Sequence, residues 1–328
     1  MRITTFTSSK SIATDYYRSI GPLCRMAKQH KFDHIICNQE GATWHDIYNT
    51  DIVFIQRPNS TASMGIMADA KRMGKQVIID FDDHLLDIPE DNPASAYFAN
   101  AQVQKHIMET FTLADVIFVS TQALHDQYVS YAKGKPMIIV PNGWNPTDLP
   151  MTDLRPMNSP ARFMWRGGST HFKDLHTLKP QINHLMMRGC EVSFFGMVKF
   201  MAYDLDDSAQ LIPWTSMWIY FDYLRKIDAD AGFYPLVRND FNLCKSNIFA
   251  LECLANGMMV IADKYFPEFN IPGVVHYDNP TEFGDITNAI IAGDISKEQM
   301  VKAGRKHIRE NLNIDLLNNK RWEIIKRL

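Results

Sequence analysis

Cysteine is scarce in this sequence and carries no pattern: Cys24, Cys37, Cys190, Cys244 and Cys253 are odd in number, scattered, and form no CxxC pair. That excludes a disulfide framework and a zinc site as organising devices, and the thiols are expected to be reduced packing residues. Long apolar runs are missing too. No stretch approaches the ~20 apolar residues of a membrane-spanning helix, and the opening residues MRITTFTSSKS turn polar before a signal-peptide core forms. The expected location is the cytoplasm, with no integral membrane segment. An excess of one charge is also lacking: 34 Lys and Arg against 37 Asp and Glu leave a net charge of -3, which gives no overall pull toward nucleic acid. The local exception is basic residues 302–327, with Lys302, Arg305, Lys306, Arg309, Lys320, Arg321, Lys326 and Arg327, read either as a solvated helix face or as a phosphate-contacting surface. There is no internal repeat and no low-complexity tract.

What is present is a globular chain of 328 residues, 46% hydrophobic and 22% charged, long enough for two domains of about 150 residues each and hence for a cleft. Short β-rich runs lie at 51–55, 76–80, 116–120 and 137–140, with helix candidates at 61–73, 98–113 and 122–132 between them. Continuous apolar runs of this length suit buried parallel strands, so residues 1–148 read as a Rossmann-like β-α domain. The segment from Pro141 to Pro146, followed by Pro150, Pro156 and Pro160, is rich in turn formers and reads as a linker. A second alternating series fills 149–328, with strands at 162–165, 191–195, 231–234 and 258–262 and helices near 172–188, 216–227, 246–256 and 296–310. The fold class expected is α/β, with two doubly wound halves facing a central cleft and the ligand at the carboxyl ends of the strands. The last helix is free to pack back on the first domain.

The most informative stretch runs from Phe241 to Gly257. Ile248 to Ala255 is nearly all apolar and closes on Asn256-Gly257, a helix stop. Glu252 is the single charge inside it. A buried carboxylate needs a cation or hydrogen-bond donors, so two readings stand side by side: paired ribose hydroxyls of a nucleotide, or a structural ion pair. Ser246 and Asn247 occupy the N-cap positions, and the free amides of that first turn together with Lys245 form an anion site suited to a diphosphate. An ordinary capped helix with a surface lysine is the plainer alternative.

Pro235-Leu236, Phe241-Asn242, Lys245-Ser246, Glu252 and Gly257 together resemble the donor-site signature of family 4 glycosyltransferases, in a branch with Lys-Ser in the motif. That family has the GT-B architecture and carries two glutamates seven residues apart; Glu252 matches the second, which in the family holds the donor ribose, whereas Cys244 stands at the first. A second match is Phe163 to His171 with Asp174, similar to the glycine loop of the family's donor domain. Small residues at Gly167, Gly168 and Ser169 let amides approach a pyrophosphate, and Arg166 offsets its charge. His171 is a candidate donor contact, or only a turn residue, and Trp214 lies where the family contacts the nucleobase.

In the first half, Tyr17-Arg18, Gln56-Arg57-Pro58, Asp80-Phe81-Asp82-Asp83-His84 and Asp115 look like features of the same branch. Asp80-x-Asp82 also imitates the metal-binding Asp-x-Asp of the other major transferase architecture. The metal-free reading is preferred, because Lys245, Arg166 and the helix N-terminus already supply positive charge. Asp82 and Asp83 are expected to face the cleft, where one orients or deprotonates an acceptor hydroxyl, and Arg18 and Arg57 are expected on the acceptor side. The resemblance implies sugar transfer with retention of configuration from a nucleotide-diphosphate sugar, UDP-sugar favoured, as co-substrate and without a further cofactor. The acceptor is not written in the sequence; a hydroxylated base in DNA, as in a bacteriophage enzyme, stands beside a glycan or small molecule. A nucleotide-binding or scaffold protein without turnover is the alternative, and Cys244 is its one support.

Overall fold

The structure, a computed structural model, describes residues 1–8, 12–196 and 205–328. Its first half is a six-stranded sheet of β1 (Arg2–Thr7), β2 (Asp33–Asn38), β3 (Ile52–Gln56), β4 (Gln76–Phe81), β5 (Val116–Val119) and β6 (Met137–Ile139), ordered β2-β1-β3-β4-β5-β6. Every strand pairing is parallel. The apolar runs explain this: β3 and β5 are buried along their whole length, as strands covered by helices on both faces must be. The edge strand β2 alternates exposed and half-buried positions.

The second half repeats the plan with β7 (Arg162–Arg166), β8 (Glu191–Phe195), β9 (Gln210–Ile212), β10 (Ala231–Tyr234), β11 (Met259–Asp263) and β12 (Val274–Tyr277), ordered β12-β11-β10-β7-β8-β9 and again parallel. Strand order reverses between β1 and β3 in one sheet and between β7 and β10 in the other. Open α/β sheets bind ligands outside the carboxyl ends of the strands at such reversals.

Two expected helices are divided. The helix foreseen at 98–113 becomes Ser95–Phe98 and Ala101–Leu113, because the Asn100 side chain turns back to accept from the Gln102 amide at 2.9 Å and starts a new helix. That foreseen at 172–188 becomes Phe172–His176 and Lys179–Met187, with Pro180 in the first turn of the second piece, where its missing N–H costs nothing.

The chain passes between the halves twice. Residues 140–161 make the first passage, and Trp144 pairs there with the second: its amide donates to Leu312 O at 2.7 Å, and the Ile314 amide donates to Trp144 O at 3.0 Å. The last helix, Ile314–Ile325, then lies against helix Gly21–His30 of the first half. Asn318 donates to Pro22 O at 2.9 Å, and Trp322 stacks on His30 and Phe32 with centroids 4.5 and 5.5 Å apart. The basic tail is therefore no single open face. Arg305 is buried and caps helix Ile248–Ala255 (2.8 Å to Leu254 O, 2.9 Å to Ala255 O), Arg321 is buried, and Lys302 and Lys326 pair with Glu298 and Glu323. Among the described residues, no helix is long and apolar enough to cross a membrane.

Candidate active site

A cavity of about 340 Å³ lies between the halves, at the carboxyl ends of β4, β7, β8 and β10. Strand β7 delivers Arg166 to it and then turns through Gly167-Gly168. A side chain at Gly167 would place its Cβ 2.5 Å from the buried Trp165 ring, and one at Gly196 would meet Gly167 O at 2.6 Å. The loops after β7 and β8 thus pack backbone against backbone, which only glycine permits. A Cβ at Gly168 would meet nothing within 4 Å, and the residue faces the cavity, so its backbone is open to a ligand.

The 3-10 turn Ser169–His171 follows. Ser169 is exposed and lines a smaller neighbouring groove instead of the main cavity. His171 does line the cavity. Its Nδ1 sits 2.8 Å from Asp174 Oδ2, and Asp174, itself buried, also accepts from the Val237 amide and Asn242 Nδ2, both at 2.8 Å. The carboxylate therefore fixes the imidazole and ties the glycine loop to the loop after β10.

Helix Ile248–Ala255 runs away from the cavity, with Gly257 in the left-handed region at φ 81° beyond its end. Asn247 is the N-cap residue by position, but its side chain does not cap, and its buried Oδ1 has no hydrogen-bond partner among the described residues. Ser246 does not cap either, since its hydroxyl accepts from Asn142 Nδ2 at 2.7 Å. Neither side chain caps the first turn, so the ordinary capped helix, the plainer of the two readings, is not the arrangement present. Lys245 reaches into the cavity, 4.2 Å over the Phe241 ring, and its Nζ donates to Asp83 Oδ1 of the other half at 2.6 Å.

Glu252 is 1% exposed, and both of its oxygens are taken. Arg166 Nε donates to Oε2 at 2.5 Å, Tyr220 OH to Oε2 at 2.8 Å, and Tyr17 OH to Oε1 at 2.5 Å. Of the two readings left open by sequence, the internal ion pair is the one present. The pair leaves the guanidinium 5.7 Å over the Phe249 ring with Nη2 unpartnered among the described residues. Burial, and then the nearby Glu252, push the Tyr17 hydroxyl well above the ordinary phenol range, so it stays a donor.

On the opposite wall, Asp82 and Asp83 follow β4. Arg57, held at φ 48° after β3, donates from Nε to Asp82 Oδ1 at 2.5 Å and from Nη2 to Asp83. Gln56 Nε2 adds a bond to Asp82 Oδ1 at 3.1 Å. Burial opposes ionisation of Asp83, but Lys245 and Arg57 outweigh it and hold the carboxyl down to about 2. Arg18 departs from its expected acceptor-side place: it is fully buried, donating to Asp80 Oδ1 and Oδ2 at 2.7 and 2.8 Å and to Val140 O at 2.8 Å. Tyr17 and Arg18 are neighbours on the helical turn Tyr16–Ile20, where adjacent side chains do not share a face, so Tyr17 reaches Glu252 and Arg18 turns to Asp80. Asp80 and Asp82 accordingly point to different partners and do not converge as an Asp-x-Asp cage. Among the described residues, no three His, Cys, Asp or Glu side chains group as metal ligands.

Trp214 lies at the cavity mouth after β9, 56% exposed. Cys244 is fully buried and packs with core residues of the first half instead of lining the cavity, and burial pushes its thiol up to about 12. Sequence reasoning missed Tyr220, Tyr234 and Phe249 as cavity residues and did not foresee Tyr17 reaching Glu252; nothing in their spacing marks them.

No protein-family model matches the sequence, and no curated protein matches it. Solved structures do match in shape. HepE of Anabaena in complex with UDP-glucose is 12% identical with a TM-score of 0.69, each chain covered 100%. An alpha-glucosyltransferase in complex with UDP and a 13-mer DNA containing a central A:G mismatch is 11% identical with a TM-score of 0.68, each chain covered 99%. Sucrose-phosphate synthase of Thermosynechococcus elongatus is 11% identical with a TM-score of 0.65, covering 100% of this chain and 99% of its own. Two parallel Rossmann-like sheets joined in this way, matched from end to end, give this chain the GT-B fold.

Proposed function

We propose that this chain is a glycosyltransferase that moves a sugar from a nucleoside-diphosphate sugar to an acceptor hydroxyl. The observation that carries this reading is the convergence of Arg166, Lys245, the open Gly168 backbone and the first turn of helix Ile248–Ala255 on one cavity at the β7/β10 reversal. A UDP-sugar is favoured as donor, supported by the UDP-glucose and UDP held in HepE and in the DNA-bound alpha-glucosyltransferase.

In this scheme the protein's main task is electrostatic. Negative charge grows on the departing diphosphate, and preorganised donors that need not reorient stabilise it as it forms. Arg166 lines the cavity wall that receives the diphosphate, while Glu252, itself held by Tyr17 and Tyr220, fixes the guanidinium through Nε. Glu252 acts as the anchor of Arg166, to which it is bonded while two tyrosines hold it in place. His171 hydrogen bonds the donor, with Asp174 setting its orientation. Trp214 stacks on the base. Across the cleft, Asp82 and Asp83 are the groups available to an acceptor hydroxyl, and transfer proceeds with retention. Among acceptors, a hydroxylated base in DNA is the most specific candidate, and a glycan or small molecule the alternative.

Thermal-shift and calorimetric titration with UDP-, GDP- and ADP-sugars tests the donor half. A hundredfold excess over the dissociation constant adds about 2.7 kcal/mol of apparent stability. Release of free sugar from the matching donor separates an enzyme from a nucleotide-binding scaffold, the reading favoured by Cys244, whose side chain cannot contact a sugar in the cavity. Binding without any turnover, in the presence of glycan and DNA acceptors, would establish the scaffold instead.

A further inference from the structure

Among the described residues, the cavity wall carries three cations, Arg57, Arg166 and Lys245, and three carboxylates, Asp82, Asp83 and Glu252. They already neutralise one another in pairs. A diphosphate arriving at Lys245 and Arg166 brings at least about two further negative charges into a partly buried site, where uncompensated charge is costly. One of the resident carboxylates must give up its cation.

The geometry decides which. Glu252 is held by three donors from three elements and has a side chain 2% exposed. Asp82 keeps both Arg57 and Gln56. Asp83 is different: each of its oxygens serves one cation, Oδ1 taking Lys245 at 2.6 Å and Oδ2 taking Arg57. When Lys245 leaves, Arg57 still reaches both aspartates, so each carboxylate keeps a cationic partner, although the two now share it.

We propose that Asp83 is an exchangeable counter-ion for Lys245: in the empty cleft it occupies the ammonium that the donor diphosphate needs, and the diphosphate displaces it. This rests on the donor-site reading above and goes beyond it. Because Lys245 belongs to the second half and Asp83 to the first, the exchange also unties a bond between the two. The released Oδ1 then faces the cavity as a free acceptor, ready for a hydroxyl that was not there to compete with Lys245 before.

The test is calorimetric titration of UDP, with inorganic pyrophosphate as the minimal probe, into the full chain as wild type, Asp83→Asn, Lys245→Ala and the double variant. Asp83→Asn removes the competitor, so UDP and pyrophosphate bind about tenfold tighter than to wild type, against the ordinary expectation that losing a site residue weakens binding. Lys245→Ala binds about tenfold weaker, and adding Asp83→Asn to it restores nothing. Asp83→Ser, checked for folding by circular dichroism alongside Asp83→Asn, gives the same tightening. Wild type that binds UDP while both Asp83 variants bind it equally or less well overturns the exchange and leaves the donor site standing. Tightening that persists in the Lys245→Ala background also overturns it, since Arg57 would then be the cation set free. No binding of UDP or pyrophosphate to any form overturns the donor site and the exchange together.

Discussion

Arg18 grips both oxygens of Asp80, at 2.7 and 2.8 Å, with neither side chain reaching solvent. Removing one partner of such a pair strands a buried charge and costs about 3–5 kcal/mol. Arg18→Met is therefore expected to lose stability on that scale in urea titrations. Arg18→Met with Asp80→Asn should recover a good part of the loss, because the stranded charge goes too. A single variant as stable as wild type would show that the pair contributes nothing.

Arg321 is the counterexample beside it. It is 1% exposed, its Nε and Nη2 have no hydrogen-bond partner among the described residues, and Nη1 donates to Asn318 Oδ1 at 3.1 Å. Burial, with Arg18 adding repulsion, pulls its guanidinium down to about 9. Replacing poorly compensated buried charge by apolar volume is often neutral or stabilising. Arg321→Met should raise the melting temperature or leave it unchanged, and a fall of several degrees would mean that the charge of Arg321 supports Asp80 enough to outweigh its own burial.

Tyr17 joins the two halves through one hydroxyl. Hydrogen bonds to charged groups contribute about 1.5–3 kcal/mol, so Tyr17→Phe should cost about that much while leaving the ring in place against Phe221. The same variant loosens the anchor of Arg166, so turnover should fall more than donor affinity. Equal wild-type and variant kcat values would remove Tyr17 from the account of Arg166.

Lys245→Ala removes the cation closest to the helix start. Loss of one preorganised donor typically lowers turnover ~10²–10³-fold, and because Lys245 is at the cleft surface, the far-ultraviolet spectrum should not change. Sugar transfer or donor hydrolysis near the wild-type rate would refute the assigned site.

Acid should remove the contribution of Asp83 to stability. Asp83 is held down to about 2, below the ordinary carboxylate value of about 3.9. A depressed folded-state value means that its contribution is complete above about pH 3.9 and is lost as pH falls toward 2. Stability of wild type and Asp83→Asn, compared by denaturant midpoints from pH 7 downward, should converge below pH 4. A difference that widens on acidification contradicts this.

How much could be read in advance follows from what each element is made of. Strands β3, β4 and β5 are Val and Ile runs and announce themselves, whereas β1 buries Thr4, Thr5 and Thr7 almost completely and so escapes a search for apolar runs, although β-branched Thr suits a strand well. Gly167-Gly168 after a strand and Lys245 before an apolar helix were legible because their meaning is local. The partners of Glu252 were not: Tyr17 lies 235 residues away and Tyr220 32 residues away, and no periodicity links them. Arg18 misled for a related reason: it stands next to Tyr17 in sequence, but adjacent side chains on a helical turn do not share a face, and the two go to Asp80 and Glu252 respectively.

The double passage of the chain between its halves limits how they can move. With a single tether, one half could swivel about the backbone in any sense. Here residues 140–161 and the return through Leu312 to Ile314 lie side by side, pinned through Trp144. Two adjacent tethers suppress twist and sideways slip, leaving a swing about the line that joins them as the soft coordinate. Any gape of the cleft mouth would then follow that one angle.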